Sequence, residues 1–180
     1  LLRKVAQNLM ANHGSMVNTS LKAGPDFGTS AVSAGFSVYA HTDLEPDIRD
    51  LPGFIPVEKY ASRKPLSDYE IGSVERFRFV LSPDLPSIQD AGAAVGATGL
   101  YSTSGSNIDV YRMVVLAKDA FSQIAVRGES ALDPTMLMPG QKDKSDPQGQ
   151  RGYAGAKWYK AVMLENQGWM ASVNVGRKAL

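Results

Sequence analysis

Apolar positions recur at Leu2, Val5, Ala6 and Leu9, with Arg3, Lys4, Gln7 and Asn8 between them. That spacing predicts a helix over residues 1–12. His13-Gly14 supplies its stop, because glycine adopts positive φ freely. Alternation replaces helical spacing at Gly35-Phe36-Ser37-Val38-Tyr39-Ala40, which predicts a strand. Asp43 is placed to cap a short acidic helix from Leu44 to Leu51, with Pro46 in the first turn and Pro52-Gly53 at the end. Residues 54–60 read as extended or irregular. Glu70 to Val74 leads into Glu75 to Leu81, where Arg76 and Arg78 alternate with Phe77 and Phe79; this predicts a strand with one wet face. Asp109 to Ala117 reads as a buried strand running into a short helical piece near 118–123. Ile124-Ala125-Val126 is a candidate short strand. In the tail, Lys157 to Glu165 and Trp169 to Val175 flank Asn166-Gln167-Gly168, which predicts a β-hairpin; helix is the alternative for 156–165.

Between these segments lie stretches without periodicity at 14–34, 83–107 and 128–150. Glycine and proline make up 27 of the 180 residues and cluster there. Irregular runs of that length are uncommon in a self-contained domain, and they are understandable if a neighbouring chain covers them. The rest of the composition is globular, at 43% hydrophobic and 21% charged. A net charge of +1 argues against a protein that binds nucleic acid chiefly by neutralising phosphates. The charge is unevenly placed. Asp43, Glu45, Asp47 and Asp50 against Arg49 make an acidic stretch, whereas 151–180 is basic. No cysteine is present, which excludes a disulfide framework, a thiolate metal site and a cysteine nucleophile. No apolar run is long enough to cross a membrane as a helix. The start at Leu1, in what reads as mid-helix, suggests part of a longer protein.

Candidate chemistry is sparse. His41-Thr42-Asp43 with Asp47 brings imidazole and carboxylate together, as a metal site or proton relay requires. The capping role of Asp43 and the helix dipole explain the same residues without chemistry. His13 sits at a helix end, where a cation is favoured. No Gly-x-Ser-x-Gly elbow or phosphate-binding Gly-Lys-Ser/Thr loop occurs. Gly149-Gln150-Arg151-Gly152-Tyr153-Ala154-Gly155 spaces glycines by three, which could form a backbone nest for an anion, although sharp turns account for it more simply. Glu70 with Arg76 or Arg78 forms a candidate carboxylate–guanidinium pair within or between subunits. Trp158, Tyr159 and Trp169 offer a stacking platform or, more ordinarily, core or interface packing.

Three stretches taken in order carry a resemblance. They are His41-Thr42-Asp43-Leu44 through Asp47-Ile48-Arg49-Asp50 to Tyr60-Ala61; Glu70 to Val74 with Phe77-Arg78-Phe79-Val80; and Asp146-Pro147-Gln148-Gly149-Gln150-Arg151-Gly152-Tyr153-Ala154-Gly155-Ala156-Lys157. With Asp109-Val110-Tyr111 to Asp119-Ala120-Phe121, the chain resembles the tailed-phage major capsid proteins of the N-four-like podophages. It departs from their pattern at Gly149 and Ala156. The resemblance implies an α+β fold of the Hong Kong 97 type, with peripheral and axial domains. Residues 1–34 would close the peripheral-domain helix and its connection, 35–145 would be mainly axial, and 146–180 would form a hairpin returning to the peripheral domain. The family's N-terminal arm and extended loop would precede Leu1. The implied function is structural: hexamers and pentamers tile an icosahedral shell around double-stranded DNA in the virion, assembled in the host cytoplasm.

The resemblance implies no catalytic residues, no cofactor and no metal. The partners it implies are copies of the chain itself, then portal, scaffolding and decoration proteins, with packaged DNA touched without sequence reading and no membrane. Residues 70, 76, 78, 151, 153 and 158 (Glu70, Arg76, Arg78, Arg151, Tyr153, Trp158) are the candidates for subunit contact or packing. On this reading Trp158→Asp disrupts strand packing, and Arg151→Glu weakens assembly while sparing the monomer. Two rivals stand beside it: an encapsulin-like nonviral shell protein, and a small hydrolase domain using His41 and Asp43.

Overall fold

A computed structural model describes residues 1–22, 28–61, 63–96, 98–124, 133–142 and 144–179. In chain order the elements are α1 (Leu2–Ala11), β1 (Val17–Lys22), β2 (Gly28–Ala40), a 3-10 turn at Thr42–Leu44, α2 (Glu45–Arg49), β3 (Ile55–Pro56), a second 3-10 turn at Val57–Lys59, β4 (Glu70–Val74) and β5 (Phe77–Leu81). There follow β6 (Val110–Leu116), β7 (Phe121–Ile124), β8 (Asp133–Leu137), β9 (Tyr153–Lys157), β10 (Ala161–Leu164), a 3-10 turn at Gln167–Trp169 and β11 (Met170–Gly176). The fold is mixed α/β, with mostly strands and few helices. It divides into two units, residues 1–120 with 166–180, and residues 121–165.

In the first unit, alternating apolar residues decide the packing. Phe36, Val38 and Ala40 of β2 pair in parallel register with Phe77, Phe79 and Leu81 of β5. Val115 of β6 lies opposite Val38 on the other side. These rows place their side chains on one face, where all are buried. Each of the larger ones stabilises the fold by about 1.5–3 kcal/mol through lost water contact. The sheet runs β11-β6-β2-β5-β4-β3, with β1 also paired to β2. Among the described strands only the β2–β5 pairing is parallel. A parallel pair cannot be joined by a tight turn; here the crossover is the 41–76 segment carrying α2, β3 and β4. Helix α1 buries Ala6 and Leu9 in the same core, and Leu44 and Ile48 join it from the α2 region.

Several expectations are corrected. Gly14 is not the residue with positive φ after α1; His13 is, at +60°. Gly14 is needed for close approach, because a Cβ there would lie 2.9 Å from the Leu9 carbonyl oxygen. The acidic helix is shorter than the pattern implied and has no side-chain cap; His41 caps the 3-10 turn before it, its Nδ1 accepting from the Asp43 amide at 3.1 Å. Strand β5 has no wet face: all five residues are buried, Arg78 included. The helical piece at 118–123 is a turn followed by β7. The strand predicted at 124–126 is described only at Ile124, since 125 and 126 lie outside the described residues. The tail is not a hairpin. Strand β11 pairs with β6, while the preceding segment splits into β9, paired with β8, and β10, paired with β7. Val173 takes a buried place beside Met113, and that burial determines β11's partner.

The second unit consists of two antiparallel ribbons, β8–β9 and β7–β10. In their four strands only Ser122 and Leu137 are even partly covered. The turn closing β8–β9 is held by Gly140 N–H donating to the Gly149 carbonyl at 2.7 Å. Gly149 adopts φ +67°, with Gly140 packed against its open side. A side chain at position 149 would therefore be strained.

Candidate functional site

Glu70 and Arg78 form a fully enclosed pair, with side chains 0% and 5% exposed. Arg78 donates from Nε to Glu70 Oε1 at 2.9 Å and from Nη2 to Oε2 at 3.0 Å. Its remaining reach goes to backbone carbonyls, Ser33 at 2.8 Å and Lys64 at 2.7 Å. Glu70 also accepts from the Tyr60 hydroxyl at 2.7 Å and from the Leu66 amide. Burial, with the neighbouring carboxylate adding to it, pushes the Tyr60 hydroxyl up to about 12, so it stays a donor. The network fastens the 60–66 loop to the back of the sheet. Two charges buried together hold their place because both Glu70 oxygens accept two hydrogen bonds each and all three Arg78 nitrogens donate. Arg76 takes no part: it is exposed and touches the Met10 thioether.

His41 and Asp43 do lie together, but the carboxylate is already engaged. Asp43 Oδ2 accepts from Tyr111 OH at 3.0 Å and pairs with Arg177 Nη1 at 3.1 Å. Arg177 stacks over the Tyr101 ring at 4.3 Å, and its Nε is buried there without a hydrogen-bond partner. Burial, and Asp43 after it, raises the Tyr111 hydroxyl pKa. Asp47 turns away to the Lys178 amide at 3.1 Å. Among the described residues no cluster of three His, Asp or Glu is placed to hold a metal ion.

The sequence pattern marks Asp109 as the head of a strand, and in the structure it also organises the glycine-rich loop before it. Wholly buried, its carboxylate accepts from Thr103 Oγ1 at 2.6 Å and from the amides of Thr103 and Asp90 at 3.2 Å. Thr103's hydroxyl first, then those amides, hold it below the usual carboxylate range. A lone aspartate between a Gly/Ser loop and an apolar strand was the available signal.

Sequence reading also missed an apolar groove beside α2. Leu1, Leu2, Ile48, Leu51, Leu100 and Val175 wall an opening of about 400 Å³. Asp47, Asp50 and Lys178 stand on its rim, with Lys178 Nζ 3.2 Å from Asp50.

The second unit carries the other candidates. Trp158 is 65% exposed, so Trp158→Asp would disturb no packing within the described chain. Tyr153 and Tyr159 are also exposed, the latter beneath Lys157 Nζ at 4.8 Å from its ring centre. Met136, Val162 and Leu164 lie open as well. Trp169 belongs to the first unit, where its Nε1 donates to the Asn12 carbonyl at 2.7 Å. Arg151 has an exposed side chain. Its amide donates to Asp146 Oδ2 at 2.7 Å, so the chain's own carboxylate takes a donor of the suspected anion nest.

No protein-family model matches the chain. It is similar to the major capsid protein of Pseudomonas phage KPP21, with 27% identity over 148 residues. That alignment covers 76% of this chain and 37% of the relative, so the chain spans little more than a third of the relative's length.

Proposed function

We propose that this chain is a structural segment of a tailed-phage capsid subunit. The similarity to a phage major capsid protein, over most of the chain, carries the reading. Copies assemble into the hexamers and pentamers of an icosahedral shell of the Hong Kong 97 type, within the N-four-like group. The shell encloses double-stranded DNA in the virion and is built in the host cytoplasm. In this reading 1–34 ends the peripheral domain's helix, 35–145 is mainly axial, and 146–180 returns toward the peripheral domain. Portal, scaffolding and decoration proteins are further partners. The role is structural rather than catalytic, in keeping with an Asp43 carboxylate committed to Tyr111 and Arg177.

The open ribbons β7–β10 and β8–β9, with the 158–160 link, support the reading. Two-stranded ribbons are at best marginal in water, and these expose Met136, Trp158, Val162 and Leu164. Such surfaces are stabilised when neighbours cover them. Near-neutral charge suits a wall that contains DNA without gripping it.

Negative-stain imaging and ultracentrifugation of the full-length gene product test the proposal. Closed particles of uniform size are the expected result. A monomer at every concentration overturns it. Shells that enclose a protein cargo and carry no nuclease-protected DNA from infected cells would favour the encapsulin-like alternative.

A further inference from the structure

Two surfaces of the described residues match. The groove beside α2 is apolar along its walls, and its rim holds two carboxylates against one ammonium. The 151–164 segment presents Arg151, Lys157 and Lys160 and contains no carboxylate. In its middle stands Trp158, 65% exposed, followed by the open apolar run Val162, Met163 and Leu164. An exposed indole flanked by cations is the kind of anchor that fills a desolvated pocket with an acidic edge.

We propose that the Trp158 segment of one copy seats in the α2 groove of a second copy. The indole enters between Leu2, Ile48 and Leu51, and Lys157 and Lys160 face Asp47 and Asp50. The proposal rests on the reading of the chain as a self-assembling shell subunit. A second copy is the occupant because the charge surplus on each surface is answered by the other, and assembly presents both at high local concentration. The contact is heterologous, since two different patches meet. Head-to-tail contacts of this kind close into rings when the rotation allows. The indole supplies the holding energy, and the rim ion pairs set orientation.

Residues 1–180 contain no cysteine, so with any cysteine elsewhere in the full-length protein first replaced by serine, two introduced thiols make a clean test. Full-length chain carrying Leu51→Cys is co-expressed with differently tagged full-length chain carrying Tyr159→Cys, and a short bis-maleimide is added. The expected product is a cross-linked heterodimer, more abundant than either homodimer. Trp158→Ala in the second chain should lower its yield about tenfold or more, and Trp158 is exposed enough for that change to leave the subunit folded. Asp50→Lys in the first chain should lower it about two- to fivefold, the range a rim ion pair supports. Lys160→Glu in the second chain should then restore it.

No heterodimer, or homodimers of the Tyr159→Cys chain at equal yield, overturns the docking. So does a link confined within single chains that carry both cysteines. Particle counts by electron microscopy on the same samples separate this proposal from its premise. Particles without the cross-link overturn the docking and leave the shell reading standing. A cross-link without particles supports the docking and overturns the shell reading.

Discussion

Removing the carboxylate beneath Arg78 should be among the most damaging single changes in the first unit. Glu70→Ala leaves a guanidinium in a site where its side chain is 5% exposed. An uncompensated buried charge costs about 3–5 kcal/mol. The Tyr60 hydroxyl and Leu66 amide lose their acceptor too, at about 1–3 kcal/mol each before water enters the void. We expect a total of about 5 kcal/mol or more, a large part of a typical stability of about 5–15 kcal/mol. Arg78→Met alone should cost about 3–5 kcal/mol by stranding Glu70. The double variant Glu70→Ala with Arg78→Met should be less damaged than the sum by about 3 kcal/mol, because both charges leave together. Urea unfolding followed by tryptophan fluorescence measures all four corners of the cycle. A Trp158→Phe background leaves Trp169, in the first unit, as the reporter. A cost below about 1 kcal/mol for Glu70→Ala, with no coupling, would mean that water reaches the pair and that it does not fasten the loop.

Tyr60 gives an alkaline signature of the same network. Its folded-state pKa is raised to about 12, above an unfolded value of about 10. Its contribution is therefore complete below pH about 10 and is lost as pH rises toward 12. Tyr60→Phe should flatten stability against pH in that window, measured by urea midpoints. Asp109 acts with the opposite sign. Its pKa is lowered, so its contribution is present above the unfolded carboxylate value of about 3.9 and disappears as pH falls below it. Asp109→Asn should remove that acid dependence and speed amide exchange at Asp90 and Thr103. At Gly72 an added Cβ would lie 2.6 Å from the Ile55 carbonyl oxygen and 2.4 Å from the Phe54 ring. Gly72→Ala should cost about 1–3 kcal/mol by overpacking. At Gly155 the nearest atom is 3.7 Å away, and Gly155→Ala should leave the thermal midpoint unchanged.

The sequence carried its clearest signal where a single period ran uninterrupted. The spacing of Leu2, Val5, Ala6 and Leu9 marks α1, and the alternation at Phe36, Val38 and Ala40 marks the core half of β2. The same alternation misled at Arg78, because a buried arginine matched by Glu70 has the local pattern of a solvated one. Only the long-range partners Ser33 and Lys64 distinguish them. Asp43 likewise fits a cap locally, but α2 has no side-chain cap, His41 caps the 3-10 turn before it, and Tyr111 and Arg177 claim the Asp43 carboxylate. The tail failed for a related reason. Asn166-Gln167-Gly168 is a good turn, but β11 pairs with β6, where Val173 reaches the core. The α2 groove was not legible at all: its walls come from both ends of the first unit's sequence and from its middle, as Leu2, Leu51 and Val175 illustrate.

The connection between β6 and β11 has an engineering consequence. Those strands are antiparallel neighbours, with Leu116 opposite Met170, and residues 121–165 are spliced between them. The sheet itself thus holds the two splice points close together. Lengthening the insert adds little closure entropy, about 0.6 kcal/mol for each doubling. A peptide grafted into the loop between β8 and β9 should therefore leave the thermal midpoint of the first unit's sheet unchanged.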